Sequence, residues 1–196
     1  MDFHGISRRM GRLWTLRRSC IRWRRLMSIL NTHMNSKNKG NVFERKIANL
    51  LSARFEEQTG LKTGFRRSSD SGAFFGGKNK IRTETHDVDT ASFGDIVSPK
   101  DFVFNIECKH YKTPPSFASL VKQEVAKFNE WIKQAEQDGE SSGKIPCIII
   151  KYNNVPEVVM IRSLFGTLTP VGFYKGYTMV SLTAFLAQED TSFFKP

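Results

Sequence analysis

The run "IPCIIIKY", residues 145 to 152, most narrows what this chain can fold into. It is apolar almost without interruption, the pattern of a central strand covered on both faces rather than of a strand with one wet side. A strand of that kind needs a layer of helices on each side of its sheet, and the chain provides them. From Asn41, Phe43, Ile47, Leu50, Leu51 and Phe55 recur at helical spacing until Gly60 stops the helix. After Pro114 and Pro115, the residues Phe117, Leu120, Val121, Val125, Phe128, Ile132 and Ala135 predict one second helix with a clean apolar stripe. Between the helices, "LKTGFRR" reads as a short strand. "GDIVSP" and "DFVFNIECKHY" read as two further strands joined by a Ser-Pro-Lys-Asp turn. Beyond the central run, "EVVMIR" and "GYTMVS" are expected to be strands and "SLTAFLAQ" a short terminal helix. The expected fold is α/β (α+β), a mixed central sheet flanked by helices in the order αβββαβ with C-terminal additions.

Length and composition set outer limits. A chain of 196 residues carries one good core and is too short for two large domains. No apolar run comes near the ~20 residues of a membrane span. Cys20, Cys108 and Cys147 are too few and too scattered for a disulfide framework or a zinc ribbon, and read as reduced thiols in a cytosol-like compartment. The net charge of +11 points to an anionic partner, most commonly nucleic acid. It is unevenly placed, because residues 1–33 hold eight arginines against the single acid Asp2, a net +7. That segment reads as a basic extension: a targeting presequence, a nucleic-acid-binding arm, a membrane-surface helix, or a piece outside the functional domain altogether. Met34 reads as a natural start for the domain of residues 34–196.

The second strand of the expected hairpin is unusual where it ends. "FVFNI" enters the core, and Glu107 and Lys109 then follow on one face, with Ile106 and Cys108 on the other. Buried charge is costly unless it is paired or binds a metal. Asp95, in "GDIVSP", comes near Glu107 if the two strands pair about the intervening turn. Two carboxylates at one spot repel, and a divalent cation relieves that repulsion; hard oxygen ligands with open water positions suit Mg2+ or Mn2+. A cation so held polarises a phosphodiester and activates water, while Lys109 orients that water or offsets transition-state charge. A plain Glu107–Lys109 pair at a strand end explains the same residues without catalysis. Glu-x-Lys also occurs a second time, at Glu44-Arg45-Lys46 on the first helix. Context separates the two: the first match has an apolar strand before it, a Gly-Asp on its expected partner and a long amphipathic helix after it.

Gly94-Asp95, eleven residues, then Glu107-Cys108-Lys109 resembles the PD-(D/E)XK nuclease superfamily, with Gly94 where the family has proline. "NVFERKIANLL", "GFRRSSDSGAFF", "GDIV" and "NIECKHYK" occur in the order of the archaeal and phage Holliday-junction resolvase branch, over residues 40 to 152. The resemblance implies a restriction-endonuclease-like core and a metal-dependent endodeoxyribonuclease that hydrolyses DNA, branched or duplex, in recombination or repair. It implies that Asp95, Glu107 and the Cys108 backbone carbonyl bind Mg2+ with help from Glu44, that Lys109 positions the attacking water, and that the protein is a homodimer in a cytoplasm. Gln134 resembles a glutamine that some members carry on the following helix, and reads equally as a solvated residue. A duplex-specific nuclease of the same fold and a non-catalytic DNA-binding module remain as alternatives.

Arg66, Arg67, Ser68 and Ser71 can hold DNA phosphates beside the metal, and Lys112 and Lys151 flank the same place. Phe74 and Phe75 can stack on bases or anchor their loop. His86, Asp87 and Asp89 lie on a polar connector. "GAFFGGKN" misses a phosphate-binding loop, with Asn79 where Ser or Thr is needed and no apolar strand before it.

Overall fold

A computed structural model describes residues 39–68, 93–162 and 168–195. The Arg-rich first 33 residues, Ser71, Phe74, Phe75, His86, Asp87, Asp89 and the "GAFFGGKN" loop lie outside the described residues. Helix α1, Lys39–Arg54, buries Phe43, Ile47, Ala48, Leu50 and Leu51, the face its sequence spacing dictates. A single turn, α2 (Glu56–Thr59), follows, and Gly60 closes it in the left-handed conformation (φ +65°) that a residue without Cβ adopts at low cost.

The strands form two groups. A two-stranded antiparallel ladder joins β1 (Arg66–Arg67) to β2 (Ile96–Val97). The main sheet has five strands: β3 (Phe104–Tyr111), β4 (Ile145–Tyr152), β5 (Val158–Ile161), β6 (Gly172–Tyr174) and β7 (Tyr177–Ser181), in the order β3-β4-β5-β7-β6. β3 and β4 run parallel, with Glu107 beside Ile148 and Lys109 beside Ile150; the remaining pairs are antiparallel. The sheet is therefore mixed, and the order of helix, three strands, helix and strand is the expected one.

Three expectations change. "GDIVSP" and "DFVFNIECKHY" do not form one continuous hairpin ladder, because β2 is two residues long and pairs with β1. Its tie to β3 is the Asp95 N–H, which donates to the Ile106 carbonyl at 2.8 Å. The single second helix is in fact two, α3 (Phe117–Val121) and α4 (Ala126–Ser142). Gln123, at φ +54°, breaks them apart, and Phe117 (81% exposed) and Val121 (65%) leave the apolar stripe for solvent. β6 is an additional strand that lay outside the segments expected to form strands.

Each face of the main sheet has its own core. On one side, α4 lays Phe128, Trp131, Ile132 and Ala135 over Ile148, Ile150, Met160 and Tyr177. On the other side α1 packs with Phe55 and the last helix, α5 (Leu182–Leu186), around a phenylalanine cluster that includes Phe65, Phe102, Phe104, Phe185 and Phe193. Among the described residues no helix is long and apolar enough to cross a membrane.

Candidate active site

The parity of β3 decides which side chains meet. His110 touches Phe43 of α1, whereas Tyr111 touches Trp131 of α4, so alternate residues face opposite helices. Glu107 and Lys109 share the α4 face with Tyr111. Lys109 Nζ donates to Glu107 Oε2 at 2.6 Å and to Gln134 Oε1 at 3.1 Å. The ambiguous Gln134 is thereby placed at the lysine, one helix away in the fold and 25 residues away in sequence.

Asp95 reaches the same place from the free edge of β3. Its Oδ2 accepts the Cys108 N–H at 2.7 Å while its own N–H binds the Ile106 carbonyl at 2.8 Å. Side chain and backbone of one residue thus hold two successive outward-facing amide units of the strand. In an extended strand, the N–H and C=O of one residue point to the same edge. The Cys108 carbonyl therefore faces the Asp95 edge, away from β4. Gly94 makes the approach possible: at φ +74°, a Cβ would lie 2.1 Å from Asn105 Oδ1 and 2.9 Å from the Ile106 oxygen. Proline, fixed near φ −65°, would not fit this turn either, which accounts for glycine at the position where the superfamily has proline.

Electrostatics set Glu107 and Asp95 apart from ordinary surface acids. Glu107 is 1% exposed. Burial, reinforced by the Asp95 charge, pushes its pKa up to about 7, although Lys109 pulls the other way. Burial raises Asp95 as well; the Cys108 amide and the Lys109 charge offset part of this, and the Glu44 charge adds to it. Burial lowers the Lys109 pKa, but its contact with Glu107 outweighs that and leaves the ammonium above its ordinary value. Two carboxylates held towards protonation, beside an outward carbonyl, form an all-oxygen donor set that suits a hard divalent cation. Among the described residues no three His, Cys, Asp or Glu side chains converge as a metal cluster. The groups that could hold such an ion are the pair plus the backbone carbonyl.

The remaining candidates divide. Glu44 lies near enough for its charge to act on Asp95 and Cys108, yet its carboxylate is ion-paired with Arg67 Nε. Arg67 Nη2 also donates to Asn41 Oδ1 at 3.1 Å. The structure thus places Glu44 in a Glu44–Arg67–Asn41 contact, with its charge felt at Asp95. Arg66 Nη2 donates to Thr63 Oγ1 at 2.8 Å, and the Ser68 N–H donates to the Asp95 carbonyl at 2.8 Å. Lys112 is exposed just past the end of β3. Lys151 is turned inward, donating to the Val155 carbonyl at 2.7 Å and lying 3.3 Å from Glu157, which Lys46 also holds at 2.7 Å.

Two participants went unnoticed in the sequence. Asn41 sits three residues before Glu44, one turn back on the same face of α1, which is the signal that could have found it. Asp138, whose charge also raises Glu107, follows Gln134 by one turn of α4.

Comparison with solved structures finds Hjc, a Holliday junction resolvase of the archaeal hyperthermophile Archaeoglobus fulgidus, at 11% identity and a TM-score of 0.28, over 69% of this chain and 87% of that one. No curated protein matches the chain. The model of the family described as "Phage putative PDDEXK endonuclease" matches residues 35–188. With Asp95, Glu107 and Lys109 in the expected order inside that span, the chain belongs to this PDDEXK endonuclease family.

Proposed function

We propose that the protein is a Mg2+-dependent endodeoxyribonuclease that cuts branched DNA, with Asp95, Glu107, Cys108 and Lys109 as its reacting centre. The observation that carries this reading is the pairing of buried Glu107 with half-buried Asp95, with the Lys109 ammonium bound to Glu107. Asp95, Glu107 and the Cys108 carbonyl would hold Mg2+, or Mn2+ in its place; once bound there, the ion supplies Lewis-acid polarisation of a phosphodiester and a more acidic water. Lys109, anchored by Glu107 and Gln134, keeps its charge at neutral pH and orients a water or stabilises the developing phosphorane charge. Gln134 fixes the lysine and makes no demand on the proton balance. Hydrolysis proceeds in one step: the water oxygen forms the new P–O bond as a bridging P–O bond breaks, the water's proton passes to solvent, and the leaving oxygen takes a proton from solvent.

The order of the Glu-Arg helix start, the Arg-Ser loop and the Glu-x-Lys strand supports a resolvase-like substrate. Paired nicks in a four-way junction need two such centres, so a homodimer acting in the cytoplasm belongs to the reading. The experiment is cleavage of a labelled four-way junction beside its matching linear duplex, with Mg2+ or EDTA, for wild type and Lys109→Ala. Paired Mg2+-dependent nicks in the junction alone, absent in the variant, are expected. Equal cutting of both substrates would discard the branched-DNA specificity and keep the centre. Tight binding without cleavage would make the protein a binding module.

A further inference from the structure

Arg67 stands between two acids. Its side chain holds Glu44 of α1, with Asn41 on a second nitrogen of the same guanidinium. The backbone of the next residue, Ser68, holds the Asp95 carbonyl. Arg67 itself is opposite Ile96 in the β1–β2 ladder, one residue from Asp95. Glu44 is therefore close enough to Asp95 for its charge to be felt there, but is committed to Arg67. Arg67 holds Glu44 through Nε and Asn41 through Nη2, and the same guanidinium edge has the geometry that grips phosphate, so a DNA phosphate competes with both for it. The pair is accessible for such an exchange, since the Arg67 side chain is 35% exposed and that of Glu44 14%. Partly exposed ion pairs are weak, and a doubly contacted phosphate displaces them readily.

We propose that Arg67 is a positioning residue: with Asn41 it holds Glu44 away from Asp95 and Glu107 in the free protein, and yields it when a DNA phosphate takes the guanidinium. Glu44 then completes the cation site only with substrate in place. This rests on the metal-nuclease reading above. It makes metal and DNA binding mutually reinforcing, since each ligand favours the arrangement the other needs, and that coupling is reciprocal by linkage. It also spares the free protein a third carboxylate beside two that already repel.

The test uses the full chain and reads binding rather than turnover. Mn2+ binding to the free protein is followed by loss of the free-ion paramagnetic resonance signal, and DNA binding by fluorescence anisotropy with Ca2+ or EDTA. Arg67→Ala is expected to bind Mn2+ about tenfold more tightly than wild type, a coupling of ordinary allosteric size. The added Glu44→Gln should cancel that gain, and Arg67→Lys, which keeps the ion pair, should stay near wild type. Glu44→Gln alone should lower free-protein Mn2+ affinity far less than Asp95→Asn does, and remove the Ca2+ enhancement of DNA binding. This last variant keeps the proposal open to refutation even if Arg67→Ala does not fold. A loss of free-protein Mn2+ affinity in Glu44→Gln as large as that in Asp95→Asn, or no gain in a folded Arg67→Ala, would overturn the proposal while leaving the nuclease centre intact. If wild type and Asp95→Asn bound Mn2+ equally poorly, the metal site itself would fall, and this proposal with it.

Discussion

Glu107 is the residue on which the chemistry and the stability of the protein pull in opposite directions. Its carboxyl is almost wholly enclosed, and its pKa of about 7 stands above the ordinary 4.5. A folded-state pKa above the unfolded one means that the folded protein binds more protons between those two values. Stability of the metal-free protein must then fall as pH rises from about 5 to above 7, and Asp95, raised in the same direction, adds to the slope. Thermal melts in EDTA across that range should show the decline. Glu107→Gln should flatten it and be the more stable protein at pH 8, and Mg2+ should restore the wild type alone. The same variant should lose cleavage by at least about a hundredfold, the scale for removing one preorganised charge group. A flat wild-type profile would show that the pair is not strained. Gln134→Ala tests the neighbouring contact: with Glu107 still holding Lys109, cleavage should fall by about tenfold, the effect of one hydrogen bond to a charged group of about 1.5 kcal/mol, with melting unchanged.

At the scale of elements, Asp95 is placed by its turn more than by its strand. Gly94 lies at φ +74° where an added Cβ would run into Asn105 and the Ile106 carbonyl, so Gly94→Ala meets both backbone strain and collision. The expected cost is about 1–3 kcal/mol, read by urea denaturation, with a loss of cleavage larger than that instability explains because Asp95 shifts. Normal activity in a folded variant would separate Asp95 from the chemistry. The contrast between this turn and the helices explains what the sequence could disclose. α1, α4 and β4 are visible because each buries a face whose period is written locally, as in Phe43, Ile47, Leu50 and Leu51. The parity of Glu107 and Lys109 followed from strand geometry alone. The break at Gln123 was not visible, because a residue some fifty positions away maintains it. The Tyr174 hydroxyl accepts the Val125 N–H at 2.8 Å and donates to the Gln123 carbonyl at 3.0 Å. In the same way the partners of Glu44 and Lys151, namely Arg67 and Glu157, depend on how separate elements meet, and no local pattern encodes that meeting.

For the whole described body, the question is what keeps the elements that carry Glu44 and Glu107 in register, since α1 and β3 are far apart in sequence. The end of the chain performs that task. Arg54, at the end of α1, donates to the Leu186 and Gln188 carbonyls at 2.9 Å and pairs with Asp190 at 2.6 Å. Val103, just before β3, donates its N–H to the Phe193 carbonyl, and the Lys195 N–H returns to Asp101. Between these ties the Phe193 ring packs against Phe55, Phe102, Phe104 and Phe185, which come from the α1–α2 junction, the approach to β3, β3 itself and α5. One fully buried ring thus closes the layer beneath β3. Phe193→Ala removes it and leaves a cavity that stiff aromatic neighbours cannot collapse, at an expected cost of about 3–5 kcal/mol, measured by chemical denaturation. Because the ring is remote from Lys109, junction binding and cleavage well below the melting temperature should stay within about twofold of wild type, the scatter expected of an uncoupled site. A variant that melted normally would show that the tail is not what joins α1 to β3. One that melted early and had also lost cleavage in the cold would show that the tail governs the geometry of the site as well as its stability.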